Sequence, residues 1–347
     1  MSRTTGDSAK GRRTRTPLQA RTWTPPKNAG MSGPFADPRP AGDVQMIPVT
    51  GVGPEDVAVD AHGRLITGTA EGRILRCDTD GRHLQHIADT GGRPLGIEVH
   101  PDGWLVVCDA DRGLLRVDPD SGQVTTLVDT VDGAPMRFTN NAAIAGDGRV
   151  YFTDSSRRFG IEEFKGDLLA HTSSGRLLRW TPGEGNGRVE VLLDGLDFAN
   201  GVALAPDDSF VLVAETGGYR VRRFDLTGPQ AGSVRVVLEN LPGMPDNMSR
   251  GSDGVYWIAM PSTRNSLLDA LLPRPGFLRS MVWSLPDSLQ PDADRILWVV
   301  GIDAAGRVVH NLFTADAGYH YVTGVREHDG RLYLGSLAES AIGVLTL

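Results

Sequence analysis

Cysteine is nearly absent: the 347 residues hold two, Cys77 and Cys108. That excludes a disulfide framework, and the spacing of the pair fits no zinc pattern. Both fall in predicted strands and read as reduced, partly buried thiols. Long apolar runs are missing too. No stretch reaches the roughly 18 apolar residues of a membrane-crossing helix, so no membrane span is expected. A basic excess is lacking, with a formal charge of −8, and nucleic acid is therefore not an expected partner. The N-terminal residues 1–30 differ, being basic and carrying Thr, Pro and Gly. They lack the apolar core of a secretory signal, and Arg12-Arg13 lacks the apolar run that follows a twin-arginine pair. Residues 1–42 are expected to be a disordered basic tail, and the protein cytoplasmic. Long helical periodicity is scarce.

Glycine is abundant, 43 residues, with 22 prolines. That suits many short strands joined by tight turns. Internal repeats set the fold. One unit runs Gly53–Gly63, Arg64–Thr69, Gly72–Asp78, and the next Arg93–Gly103, Trp104–Asp109, Gly113–Asp118. Further units open at Thr139, Phe198, Pro245 and Val322. Each is a strand, an Asp-Gly-type turn, a second strand, a turn, a third strand and a more variable fourth. Four strands per unit make a propeller blade. The expected fold is all-β, a six-bladed β-propeller over residues 43–347. Its last unit is short of an outer strand, which Val44–Val49 can supply, closing the ring and removing an open edge. Two insertions break the repeat, 156–174 in unit three and 262–280 in unit five. Both are apolar enough to form a lid over one mouth of the channel.

The first strand of each blade lines the central channel, and its head points into one mouth. The heads in order are Glu55, Leu95, Asn140, Asn200, Asp246 and the region Tyr321–Thr323. Oxygen-bearing side chains from four blades converge on one axis. Carboxylate and amide oxygens suit a hard cation such as calcium. The heads include no His or Cys, which disfavours zinc and copper. A ligand carboxylate not fully committed to a metal, here Asp246, is a candidate base or nucleophile. His320, Tyr319 and Tyr321, just before the sixth head, and His171 in the first insertion are further acid/base candidates. Packing roles weigh against each of these four individually.

The motifs Arg93-Pro94-Leu95-Gly96, Tyr151–Ser156, Phe198–Ala203, Ala214–Gly217, Asn240–Asn247 and Glu327–Ser336 carry a resemblance. In them the chain resembles the strictosidine-synthase-like and adipocyte plasma membrane-associated protein-like group. That group belongs to the superfamily of SMP-30/gluconolactonase and paraoxonase propellers. The resemblance implies one channel-mouth calcium held by Glu55, Asn140, Asn200 and Asp246, with Asn247 as a further ligand. Asp56 and Asn141 match a second, deeper calcium site, where Asn141 replaces the usual acid and so argues against a second ion. Leu95 stands where paraoxonase-type members have a catalytic His. Val322-Thr323-Gly324 lacks the acid that strictosidine synthase uses, which argues against alkaloid synthesis. The leading expectation is calcium-dependent hydrolysis of a lactone or aryl ester, with an apolar small-molecule substrate, Asp246 and His320 acting in catalysis. The alternatives are a cyclisation or condensation of a specialised metabolite, and a non-catalytic propeller stabilised by calcium.

Overall fold

Each hairpin in a repeat needs a residue at positive φ, and glycine takes it at least cost. Gly103, Gly148, Gly254 and Gly330 do so at φ 88°, 82°, 76° and 69°. In the fourth unit Asp208 takes the position itself at φ 55°. The strands so joined form six four-stranded antiparallel sheets in the computed structural model, which describes residues 15–286, 289–290 and 293–347. The protein is therefore a six-bladed β-propeller. The first blade comprises Val57–Val59, Leu65–Gly68, Arg73–Cys77 and Gln85–Asp89. The sixth comprises Val322–His328, Arg331–Ser336 and Ala341–Thr346, and its outer strand is Gln45–Pro48. Gln45 pairs with Val344 and Pro48 with Ala341, so the chain's beginning closes its end. Pro48 is tolerated because an outer strand leaves its far edge unpaired.

The core lies between blades. Ala58 and Ile66 of the first meet Ile97, Val107 and Leu115 of the second in one buried cluster. Equivalent clusters follow around the ring. Near the axis the backbones come closest. A Cβ on Gly201 would lie 2.3 Å from the Met248 nitrogen and 2.4 Å from the Asp246 carbonyl oxygen. Cys77 and Cys108 are free and buried, as their strands required.

Both insertions fold into helices: α1 at Phe164–Ala170, α2 at Ser266–Leu271 and α3 at Gly276–Trp283. The Asn265 side chain caps α2 by accepting from the Leu268 N–H at 2.9 Å. Helices α1 and α3 pack on one another.

Residues 15–42, expected to be disordered, instead lie across the propeller as a strap. The Arg21 N–H donates to Ala170 O at 2.8 Å and the Trp23 N–H to Leu272 O at 3.2 Å, tying it to both insertions. Leu18 is buried with Phe159, Leu169 and Trp283. Phe35 is buried against blades four and five, and the Arg39 N–H donates to Asn311 O at 2.9 Å. The polar average of the segment hid a few widely spaced apolar anchors, each too isolated to create a periodic signal. Residues 1–14 of the expected tail lie outside the described residues.

Candidate metal centre and its lidded cavity

A recurring backbone irregularity aims the blade heads. The first strands of blades two, three, four and six all shift register at the same point: Pro94/Ile97, Thr139/Ala142, Ala199/Val202 and Val322/Gly324. A bulge at an active-site edge re-aims the side chain it carries. Here the carried residues are Leu95, Asn140, Asn200 and Thr323. Acids at the ends of the second strands brace three of these bulges. Asp109 accepts from the Arg93 N–H at 3.0 Å, Asp154 from Phe138 at 3.1 Å and Glu215 from Asp197 at 2.7 Å.

After Asp154 and Glu215, the next residue orients the head. Asn140 Nδ2 donates to Ser155 Oγ at 2.9 Å, and that hydroxyl donates to Ala199 O at 2.6 Å. Asn200 Nδ2 donates to Thr216 Oγ1 at 3.1 Å, and that hydroxyl donates to Pro245 O at 2.6 Å. With each nitrogen engaged, the amide oxygen is turned away from its clamp. Asn140 Oδ1, Asn200 Oδ1 and Asn247 Oδ1 are all buried without a donor. Buried acceptors of this kind are costly unless something else meets them.

Glu55, Asn140, Asn200 and Asp246 line one cavity of about 160 Å³. Asn247 does not line it; its Nδ2 donates to Glu55 Oε1 and Oε2 at 3.0 and 3.1 Å. Burial, then the neighbouring Asp246 and Asp56 carboxylates, push the Glu55 carboxyl well above the usual range, against Arg93 and Asn247. Burial likewise pushes Asp246 up to about 7, offset in part by Asn200 and the Asn247 backbone. Two carboxylates held toward the neutral form and the two amide oxygens of Asn140 and Asn200 lacking donors are the kind of donor set a hard cation takes. Among the described residues no three His, Cys, Asp or Glu side chains form a metal cluster. Any ion here would rest on amides as much as on acids.

The opposite wall of the cavity comes from the insertions. Phe164 and Leu168 of α1, Leu267 and Leu268 of α2, and Val282 of α3 line it, with Phe138 and Phe198 at the sides. Side chains of both insertions thus line the same cavity as the blade heads. In α1, Asp167 accepts from Ser156 Oγ at 2.5 Å and from Ser174 Oγ at 3.4 Å. Burial pushes its carboxyl up to about 6. A carboxyl raised in the folded state favours folding below its ordinary range, and that contribution is lost as pH rises through about 6. Asp167→Asn should therefore match or exceed the wild type in urea unfolding at pH 8 by up to about 3 kcal/mol, and lose that advantage near pH 4. An advantage independent of pH would contradict the assignment.

Several expected residues lie elsewhere. His320 does not line the cavity. Its Nδ1 is 2.6 Å from Glu339 Oε1 and its Nε2 3.2 Å from Arg295, so the geometry gives it no place over the carboxylates. His171 also stands outside, buried and stacked on Trp23 with ring centroids 4.2 Å apart. The Tyr319 hydroxyl donates to Leu334 O at 2.7 Å inside blade six. Of this group Tyr321 alone lines the cavity. The deeper pair is closed: Asp56 Oδ2 accepts from Asn141 Nδ2 at 3.4 Å and from the Ile97 N–H at 3.2 Å. Asn141 Oδ1 accepts from the Val202 N–H at 2.8 Å. Arg326, held by Glu98 at 2.6 Å and Val57 O at 3.2 Å, supplies positive charge beside Asp56. No donor set for a second ion remains there.

Sequence reasoning overlooked Ser155 and Thr216. A signal existed. Aligning the repeats pairs Asn140 with Asp154-Ser155 and Asn200 with Glu215-Thr216, but the apolar head Leu95 with Asp109-Ala110. An amide head goes with a hydroxyl clamp, and an apolar head with alanine; Leu95 and Ala110 share one buried cluster.

The model for the SMP-30/Gluconolactonase/LRE-like region matches residues 70–268, and that for the strictosidine synthase-like N-terminal region matches 33–77. An adipocyte plasma membrane-associated protein of Salmo salar is 38% identical over 316 residues, covering 82% of this chain and 73% of its own. The Arabidopsis thaliana protein strictosidine synthase-like 10 is 35% identical, covering 91% of this chain and 93% of its own. Two solved structures share the fold. A gluconolactonase from Xanthomonas campestris has a TM-score of 0.63 at 19% identity, covering 89% of this chain and 91% of its own. The calcium-binding protein regucalcin from Agrobacterium tumefaciens has a TM-score of 0.59 at 14% identity, covering 86% and 90%. By its blades, its channel heads and these matches, the chain belongs to the SMP-30/gluconolactonase/LRE-like family, among its strictosidine-synthase-like members.

Proposed function

We propose that this propeller is a calcium-dependent hydrolase of apolar lactones or aryl esters. Glu55, Asn140, Asn200 and Asp246 would hold the ion, with Asn247 orienting Glu55. When bound, calcium supplies a Lewis acid for the scissile carbonyl. The chain's own residues do the rest. Phe138, Phe198 and the lid side chains take up the apolar part of the substrate and exclude water around it. Asp246 is the more accessible carboxylate, 9% exposed against 3% for Glu55, and is placed to take the proton of an attacking water. One observation carries the reading: two residues with donorless amide oxygens, Asn140 and Asn200, and two carboxylates, Glu55 and Asp246, line one largely apolar cavity. The likeness to a gluconolactonase and to a calcium-binding neighbour supports it at the level of fold. Against a condensing role, the sixth head offers Val322, Thr323 and Gly324, and the Thr323 hydroxyl is spent on Glu55 O at 2.8 Å.

A panel of lactones and aryl esters, assayed with added calcium and with EDTA, tests the proposal. Turnover that EDTA removes and calcium restores is expected. Turnover that survives chelation would remove the metal from the chemistry. Calcium-dependent thermal stabilisation with no turnover on any ester would mark a binding propeller instead.

A further inference from the structure

The strap and the first insertion enclose a second cavity of about 400 Å³. Arg21 and Trp23 of the strap line it, with His171, Ser173, Asp197 and Arg220 of blades three and four. It shares no lining residue with the cavity over the blade heads. The end of α1 shapes it. His171 closes that helix in the left-handed region at φ 50°, donating its N–H to Asp167 O at 2.7 Å, and Ser173 turns the chain again at φ 52°. Non-glycine residues stay in that region only where their surroundings fix them. Here the Trp23 ring does part of that, lying 4.2 Å from the His171 ring at 19° to it.

The acceptors around this cavity are spent. Asp197 Oδ1 accepts from Ser173 Oγ at 2.5 Å and its Oδ2 from Arg220 Nη2 at 3.2 Å. Glu215 accepts from the Asp197 N–H at 2.7 Å and from Arg220 Nε and Nη2 at 2.7 and 2.8 Å. The donors are not spent. His171 is 4% exposed, yet its Nε2 has no hydrogen-bond partner, since Asp197 Oδ1 stands off at 3.5 Å. The exposed Arg21 guanidinium has no partner among the described residues. Arg279 of α3 is fully enclosed at the cavity's edge. Its Nη1 donates to Arg21 O and Leu169 O at 2.9 Å each, while Nε and Nη2 are unpartnered and no acid pairs with it among the described residues. Four arginines, Arg21, Arg220, Arg222 and Arg279, thus stand against two acids, Asp197 and Glu215. A buried cation without a counter-charge is costly, and so are buried donors without an acceptor. Both costs are met by an anion in the cavity.

We propose that this second cavity binds a small organic carboxylate, held between the Arg21 guanidinium and the His171 Nε2–H, with its apolar part against Trp23. The planar fork of a guanidinium matches the two oxygens of a carboxylate, and the indole supplies an apolar wall. Bound there, the carboxylate ties the strap to the first insertion. The strap is already bonded to both insertions, through the Arg21 N–H to Ala170 O and the Trp23 N–H to Leu272 O. The proposal stands apart from whatever reaction occurs at the channel mouth.

Isothermal titration of sodium benzoate into the full chain, with calcium present and at constant ionic strength, tests it. A saturable site is expected. Arg21→Gln should weaken that site by about tenfold or more, the loss of one charge-assisted pair. His171→Phe keeps an aromatic ring against Trp23 and removes Nε2, and should weaken it by about threefold to tenfold. Because Arg21 is exposed, its variant should melt at the wild-type temperature, which separates lost binding from lost fold. Absence of any saturable site, or saturation untouched by both substitutions, would overturn the proposal. So would a site that takes inorganic phosphate as tightly as benzoate, which would leave Trp23 and the carboxylate shape without a role.

Discussion

Asp246→Asn is expected to lower turnover by about 10²- to 10⁴-fold at saturating calcium, the contribution typical of a positioned proton acceptor. The substitution keeps the shape and one oxygen, so the site should still bind calcium, about ten- to a hundredfold more weakly for the lost charge. Thr216→Val separates binding from proton transfer. Its hydroxyl accepts from Asn200 Nδ2 and donates to Pro245 O. Without it the Asn200 amide is free to turn, and calcium affinity should fall about ten- to a hundredfold, as for other residues behind a ligand. Because Asp246 is untouched, kcat at saturating calcium should stay within a few-fold. Isothermal titration and steady-state kinetics on the two variants distinguish these effects. Equal losses of kcat in both would mean that Asp246 serves only as a ligand.

Gly201→Ala should be strongly damaging to both stability and the site. The backbone at Gly201 is not in the left-handed region, so alanine meets no conformational penalty there. The penalty is steric. The new carbon would overlap Met248 N, Asp246 O and the Asn247 carbonyl carbon at 2.3, 2.4 and 2.6 Å. All three are backbone atoms of the fifth blade's head and cannot swing aside. Relief requires blades four and five to part at the axis, moving Asp246 away from Asn200. A loss of about 3 kcal/mol in urea unfolding is expected, at the upper end for overpacking, together with loss of calcium binding. Gly146→Ala is the control. There the nearest atom is the end of the Asp208 side chain at 3.5 Å, and a change within about 1 kcal/mol is expected. Equal effects at the two sites would show that crowding at the axis is not what Gly201 relieves.

The channel heads were legible because a propeller repeats one short unit. Position within the unit then says where a side chain points, and Glu55, Asn140, Asn200 and Asp246 fall at the same point of four units. The hydroxyl clamps were legible in principle by the same alignment, since Ser155 and Thr216 also occupy equivalent positions. His320 was misplaced for a different reason. It lies one residue outside the repeat, where the chain turns at Tyr321 with φ 55°, and a turn of that kind reverses the direction of its neighbours. Glu339 and Arg295, which hold it, are 19 and 25 residues away.

By itself the sequence determined the number of blades, the order of their strands, the ring closure by Gln45–Pro48 and the residues gathered at the axis. These follow from period-two alternation and turn chemistry, both short-range. The tertiary structure alone decided what stands over that axis. The strap from Arg15 to Gly42, the burial of Arg279 against the Arg21 carbonyl, and the closing of the Asp56–Asn141 pair all depend on contacts between segments far apart in the chain. Such contacts leave no periodicity, because each is made once, between surfaces that exist only after the blades have formed.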